Sequence, residues 1–276
     1  MSWIEAILLG VLQGLTEFLP ISSSAHLAIF PQLFGRADPG ASFTAVSQIG
    51  TELAVILYFA KDIWRIASTW TRSLWRPSLR GHIDARMGWY IIIGTLPIAI
   101  GGVLLEDTIQ TTFRNLWVIG ANLIIFGLIL GIADRLGANE RPLDRLNLRD
   151  ALLYGGAQML ALVPGVSRSG ATISMGLGLG YRREAATRYA FLLAIPAVVA
   201  SAIFQLPDVS AGAEPGMAKT LLATVVAFFV GYAVIAWLLR YLRTHSFLPF
   251  VIYRVALGTL VLVLLSVGVL DATVSV

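Results

Sequence analysis

Cysteine is absent from the chain, which excludes disulfides, a thiolate nucleophile and a Cys-ligated zinc site. Charge is scarce as well. Asp, Glu, Lys and Arg make up 13% of the residues, against about 25% in a soluble domain. Polar surface of that extent cannot solvate a globule in water. No Lys or Arg precedes the first apolar run, Glu5 lies near its start, and no small-residue cleavage site follows, so a cleaved signal peptide is not expected.

What fills the chain instead is apolar sequence, 57% of 276 residues. Six segments, at 43–60, 86–105, 115–134, 186–206, 218–240 and 248–270, approach the ~20 residues that a membrane span needs. The expected class is an all-α polytopic membrane protein. The net charge of +4 then reads as basic cytoplasmic loops rather than as a nucleic-acid surface.

Two further apolar stretches, 3–34 and 150–180, are interrupted by Pro, Ser and Gly. Each reads as two half-helices joined by a polar loop. Such backbone survives at membrane depth only inside protein or beside a watery cavity. A slide of 145 residues lays "GVLQGLTEFLPISSSAHLAI" over "GGAQMLALVPGVSRSGATIS". Gly10 then meets Gly155, Gln13 meets Gln158, Ser22 meets Ser167, and Ser24 meets Ser169. Three spans follow each broken stretch. The single integral membrane domain, 1–276, therefore divides into repeats of about 1–140 and 141–276. Each is one re-entrant helix hairpin plus three transmembrane helices. An odd number of spans makes the second repeat enter from the other side, as in inverted-topology repeats.

Basic residues orient the chain. One set of loops holds Lys61, Arg65, Arg72, Arg76, Arg80 and Arg86, then Arg135, Arg141, Arg145 and Arg149, then Arg182, Arg183 and Arg188, then Arg240 and Arg243. The opposite set keeps Arg36, Arg114 and Lys219, beside Asp38, Glu106, Asp107, Asp208, Glu214 and Asp271. Both termini and the first hairpin are thus expected on the outer face.

The chemistry concentrates in the hairpins. Gln13 and Glu17, four apart, share a helix face, and Pro20 ends that helix. Ser22, Ser23 and Ser24 offer hydroxyls and free amides at the next helix start, where anions are favoured. His26 lies three residues after Ser23. An intramembrane Glu beside His and Ser points to function; a serine N-cap with His bonded to a carbonyl is the bland alternative. In the second hairpin, Ser167, Ser169 and Gly170 repeat the device around Arg168, whose planar fork suits phosphate oxygens. Arg168 could also simply pair with Glu17. Arg254, inside the last span, either snorkels to the interface or reaches the second hairpin. Asp150 reads as a helix N-terminal charge, and His82 and His245 as solvated loop residues.

"QGLTEFLPISSSAH" and "PGVSRSGATIS" closely resemble the two signature segments of the undecaprenyl-diphosphate phosphatase family, also called bacitracin-resistance proteins. The resemblance spans the chain. It implies hydrolysis of undecaprenyl diphosphate to the monophosphate carrier of cell-wall glycan synthesis, in a bacterial inner membrane, with a divalent cation, Mg²⁺ or Ca²⁺. It implies Glu17 as the essential acid, His26 as the catalytic histidine, Ser23 as nucleophile or phosphate ligand with Ser24 beside it, and Arg168 as phosphate clamp. Glu17 and Gln13 are the candidate metal ligands, although an amide is a weaker ligand than the Glu that many members carry there. Attack by Ser23 and attack by water both stay open. The partners expected are the polyprenyl diphosphate and membrane lipids, with a second copy of the chain in a homodimer as a further option. The rival readings are a transporter or flippase of polyprenyl phosphate, which the repeat favours, and an intramembrane serine protease, which would have no need of Arg168.

Overall fold

The structure is a computed structural model that describes residues 1–33, 41–105, 115–209 and 216–272. Those residues form eleven α-helices and no strand. In chain order they are α1 Trp3–Phe18, α2 Ser23–Leu33, α3 Ala41–Tyr58, α4 Ala60–Trp75, α5 Ile83–Leu104, α6 Leu116–Leu136, α7 Leu148–Leu160, α8 Arg168–Gly178, α9 Arg183–Val209, α10 Met217–Tyr241 and α11 Leu248–Ser266. Of the residues used above for orientation, Arg36, Asp38, Glu106, Asp107, Arg114 and Glu214 lie outside the described residues.

The six expected spans correspond to α3, α5, α6, α9, α10 and α11, within a few residues at each end. Among the described residues α5, α6, α10 and α11 are long and apolar enough to cross a membrane. Their outward faces carry exposed Ile100, Val103, Ile132, Phe229, Ile252 and Val263. In water such a surface would drive association; hydrocarbon solvates it. The protein is a multi-pass membrane protein.

One element departs from the sequence expectation. Residues 61–76 do not form a loop; they lie within helix α4 and its C-cap. Ile66, Thr69 and Ser73 face inward, while Lys61, Arg65 and Arg72 face out beside exposed Trp64 and Trp75. This is the pattern of a helix lying in the membrane interface. Its low apolar content hid it from a search for spans.

Both interrupted stretches are helix–elbow–helix. A capping box starts α1: the Ser2 amide donates to the Glu5 carboxylate at 2.6 Å, and the Glu5 amide donates to Ser2 Oγ at 3.2 Å. Pro20 lacks an N–H and stops it. α1 and α3 pack on α10, and α7 and α9 pack on α5. Gly10 makes the first contact possible, since a Cβ there would sit 2.5 Å from the Ala223 carbonyl. Gly155 does the same on α7, where a Cβ would lie 2.4 Å from the Gly94 carbonyl of α5. Helices α6 and α11 pack together and carry the residues that hold the elbows.

Candidate active site

The elbows share one local design. Ser22 and Ser167 both adopt left-handed backbone, with φ of 75° and 72°. For a residue with a side chain this costs on the order of 1–3 kcal/mol and persists where surrounding structure holds it. Each serine then caps the helix that follows. The Ala25 amide donates to Ser22 Oγ at 3.4 Å, and the Gly170 amide donates to Ser167 Oγ at 3.1 Å. The carbonyls of Ser22 and Ser167 accept from His26 and Ala171 at 3.3 and 2.9 Å. Ser22 and Ser24 hydroxyls lie 3.1 Å apart, those of Ser167 and Ser169 3.2 Å apart. Among the described residues the amides of Ser23, Ser24, Arg168 and Ser169 have no acceptor. Two helix N-termini therefore present free donors, the arrangement that attracts phosphate.

The elbows touch. Ser169 Oγ donates to the Leu19 carbonyl at 3.2 Å, and the Gly165 amide approaches Ser24 Oγ at 3.5 Å. Glu17 is the hub between them. Its Oε1 pairs with Arg168. Its Oε2 accepts from Ser23 Oγ at 2.8 Å and from Gln13 Nε2 at 3.2 Å. Ser23 and Arg168, from opposite halves of the chain, thus meet on one carboxylate. The ion pair expected as the bland alternative for Arg168 forms, and it forms on the same carboxylate that accepts the Ser23 hydrogen bond.

A small cavity of about 20 Å³ opens beside this hub. It is lined by the polar residues Glu17, Thr51, Glu52, Arg168 and Ser169 and by apolar ones that include Phe18, Val55 and Phe191. That volume admits a water or two, and the apolar lining keeps the local dielectric low.

Arg254 resolves the choice left open by the sequence. It does not reach the interface: it is 0% exposed and lies behind both elbows. It donates to the carbonyls of Pro20 at 3.0 Å, Gly165 at 2.9 Å and Val166 at 3.0 Å, and to those of Leu123 and Asn122 at 3.2 and 3.3 Å. Asn122 Nδ2 adds a bond to the Pro164 carbonyl at 3.0 Å. One guanidinium, five donors in a fixed fork, therefore holds the first and second elbows together.

His26 is directed away from Ser23 and Glu17. Its Nδ1 donates to the Ser22 carbonyl at 2.7 Å, which leaves Nε2 to accept from the Tyr253 hydroxyl at 2.6 Å. The serine-cap arrangement with a carbonyl-bonded histidine is what the chain adopts. Asp150 starts α7 as expected and is also paired to Arg141 at 2.6 Å and bonded by Tyr181 at 2.5 Å. His82 caps α5 and His245 stacks on Tyr241.

Glu52, Thr51, Tyr253 and Asn122 are absent from the residues picked out by sequence. Glu52 carried a readable signal, a lone carboxylate in the apolar run "GTELAVILY". Tyr253 and Asn122 carried none, because their importance comes from partners more than forty positions away.

The donor set suits a hard divalent cation. Glu17 and Glu52 line one cavity, and Gln13 Oε1 is buried with no donor among the described residues. No group of three or more acidic or His ligands occurs among the described residues. Mg²⁺ characteristically takes one or two carboxylates and completes its shell with water and phosphate oxygens, so the residues fit.

Broken helices that bring free helix N-termini and an arginine together inside an apolar body define an integral membrane protein whose interior offers donors chemically suited to an anionic group. Comparison with known proteins narrows this. The family described as "Bacitracin resistance protein BacA" matches residues 6–260, and the chain belongs to that family. It is 60% identical over 271 residues to an undecaprenyl-diphosphatase of Nocardioides sp., covering 98% of this chain and 99% of the relative. It is 58% identical to that of Thermobifida fusca, over 98% of this chain and 92% of the relative. Identity to that of Micrococcus luteus is 56%, over 99% of this chain and 100% of the relative.

Proposed function

We propose that this protein hydrolyses undecaprenyl diphosphate to undecaprenyl phosphate and inorganic phosphate, at the junction of the two elbows. The observation that carries the assignment of residues is the meeting of Ser23 and Arg168 on Glu17. A hydroxyl hydrogen-bonded to a carboxylate is an activated nucleophile with its base. A guanidinium beside it is a clamp for the equatorial oxygens of a transferring phosphoryl group.

The terminal phosphate sits against Arg168 and the free amides of Ser23, Ser24, Arg168 and Ser169, with the hydroxyls of Ser22, Ser24, Ser167 and Ser169 nearby. Glu17 takes the proton of Ser23 as Oγ attacks the terminal phosphorus. The bridging P–O bond breaks, and undecaprenyl phosphate leaves with the bond's electrons. Water then attacks the phosphoserine phosphorus, the Oγ–P bond breaks with its electrons going to Oγ, Oγ takes back the proton held on Glu17, and inorganic phosphate leaves carrying the protons of the water. Gly170 lets the elbow approach the phosphate closely. His26 and Arg254 act as positioning residues, holding the carbonyl sides of the elbows so that their amides stay turned to the substrate. A divalent cation, when bound, would neutralise phosphate charge; Glu17, with Gln13 beside it, is the residue that would hold it.

We further propose an inverted repeat in the bacterial inner membrane, with the first hairpin and both termini on the outer side. Its support is local and global. Ser22 and Ser167 share a conformation, and Gly10 and Gly155 make equivalent helix contacts. The pairings α1–α10 and α3–α10 have counterparts in α7–α5 and α9–α5. The ion pairs Arg188–Asp62 at 2.5 Å, Arg183–Asp134 at 2.5 Å and Arg243–Glu184 at 3.2 Å tie the basic segments to one another, as segments on a single cytoplasmic side would be.

This symmetry also favours the second reading, a flippase of polyprenyl phosphate. Phosphate release by purified protein in detergent, where transport has no meaning, separates them. Steady release by the parent and none by Glu17→Gln is expected. No release by the well-folded parent overturns the phosphatase reading.

A further inference from the structure

Glu52 has no assigned role, and its surroundings are unusual. It sits on α3, 7% exposed, in a run of apolar residues. No donor among the described residues hydrogen-bonds to it. Its neighbour in the cavity wall, Glu17, differs in this respect: Arg168, Ser23 and Gln13 all donate to it. The Thr51 hydroxyl next to Glu52 is committed to the Gln48 carbonyl at 2.7 Å. Arg168, the cation of the wall, is engaged with Glu17, and the donors of Arg254 are spent on carbonyls behind the elbows.

A buried carboxylate without donors is expensive unless something neutralises it. Local charge says what. With both carboxylates ionised, the cavity holds two negative groups and one positive. A diphosphate brings more negative charge to the same place, in a low dielectric where repulsion is strong. A divalent cation between Glu52 and the phosphate reverses the sign of that interaction. Position 13 is an amide, so α1 supplies only one carboxylate to the site. A second can come only from another helix, and α3 supplies it to the same cavity. The buried, unpartnered Gln13 Oε1 lies on the α1 side, bonded through its own Nε2 to Glu17.

We propose that Glu52 is a ligand of the divalent cation in this site, the second carboxylate beside Glu17, and that the cation joins α3 to the substrate phosphate. The assignment rests on the phosphatase reading for the identity of the phosphate, not for the cation site itself. It makes α3 a substrate-binding element and not only a membrane span.

The test is cation binding, measured without turnover. Mn²⁺ is the probe, free Mn²⁺ being read by electron paramagnetic resonance on protein in detergent, with Mg²⁺ as competitor. The parent is expected to bind Mn²⁺ displaceably by Mg²⁺. Glu52→Gln should weaken that binding at least tenfold, whereas Glu184→Gln, at a partly exposed position on α9 paired with Arg243, should leave it within twofold. Glu52→Met carries an apolar side chain of similar length and cannot fail by stranding a polar group; it should show the same loss and decides the matter if Glu52→Gln does not fold. Parent-like Mn²⁺ affinity in either folded variant overturns the assignment, as does a parent that binds no Mn²⁺. Phosphate release by the same preparations keeps the two readings apart. A releasing parent whose Mn²⁺ affinity ignores Glu52 retains the phosphatase and loses this site. A parent that binds Mn²⁺ through Glu52 but releases no phosphate retains the site and loses the phosphatase.

Discussion

Replacing Arg254 tests how the elbows are held. Its guanidinium is the donor to three carbonyls that lie outside helices, those of Pro20, Gly165 and Val166. The carbonyls of Asn122 and Leu123 belong to α6 and keep their helical partners when Arg254 is removed. Arg254→Met therefore strands three buried acceptors. Each unsatisfied group costs about 1–3 kcal/mol, so the expected loss is about 3–9 kcal/mol, less whatever water enters the gap. Removing the guanidinium also spares its own desolvation, which opposes the loss. The lower figure, about 3 kcal/mol, is the expectation. For a chain of this size each kcal/mol is worth about 2–4 °C in Tm, which gives a fall of about 6–12 °C. Arg254→Lys keeps the charge but brings three donors on one atom, without the fork that reaches both elbows. It should lie between parent and Met in stability, and both variants should lose phosphate release at 25 °C by tenfold or more while still folded. The assay is thermal unfolding in detergent followed by tryptophan emission, paired with phosphate release. A Tm within 2 °C of the parent, or undiminished release by Arg254→Met, would refute the claim that this residue shapes the site.

Other expectations follow from single contacts. Arg168→Lys keeps a cation beside Glu17 but loses the planar fork, so it should fold and lose most of its rate; release within about twofold of the parent defeats the clamp assignment. Ser23→Ala removes the hydroxyl that donates to Glu17 and should abolish turnover, while a phosphoserine should be trapped on the parent by rapid quench. Full activity of Ser23→Ala eliminates Ser23 as nucleophile, and residual activity with no trapped phosphoserine shifts the attack to water. Gly155→Ala should destabilise by about 1–3 kcal/mol through overpacking against the Gly94 backbone. Gly156→Ala, one position on and facing open space, should be neutral or stabilising by up to ~1 kcal/mol from helix propensity. Equal melting temperatures for these two variants would contradict the α5–α7 contact.

Much of this protein is determined locally. Scarce charge and apolar runs of membrane length are properties of the chain alone, and they are why every expected span appears as a helix. Pro20 and the serines after it stop one helix and start the next wherever they stand, so both elbows were legible, as was the resemblance between them. Glu17, Ser23 and Arg168 could be named because polar groups are too costly in hydrocarbon to occur there without use. Three things were decided only by tertiary structure. Amphipathic α4 has the composition of a loop, and docking gives it a face. His26 stands three residues from Ser23, but its ring follows the Ser22 carbonyl and Tyr253, which lies 227 positions away. Arg254 looks in sequence like a charge near a span end; folding surrounds it with carbonyls from both elbows, because irregular backbone at membrane depth must find its donors inside the protein.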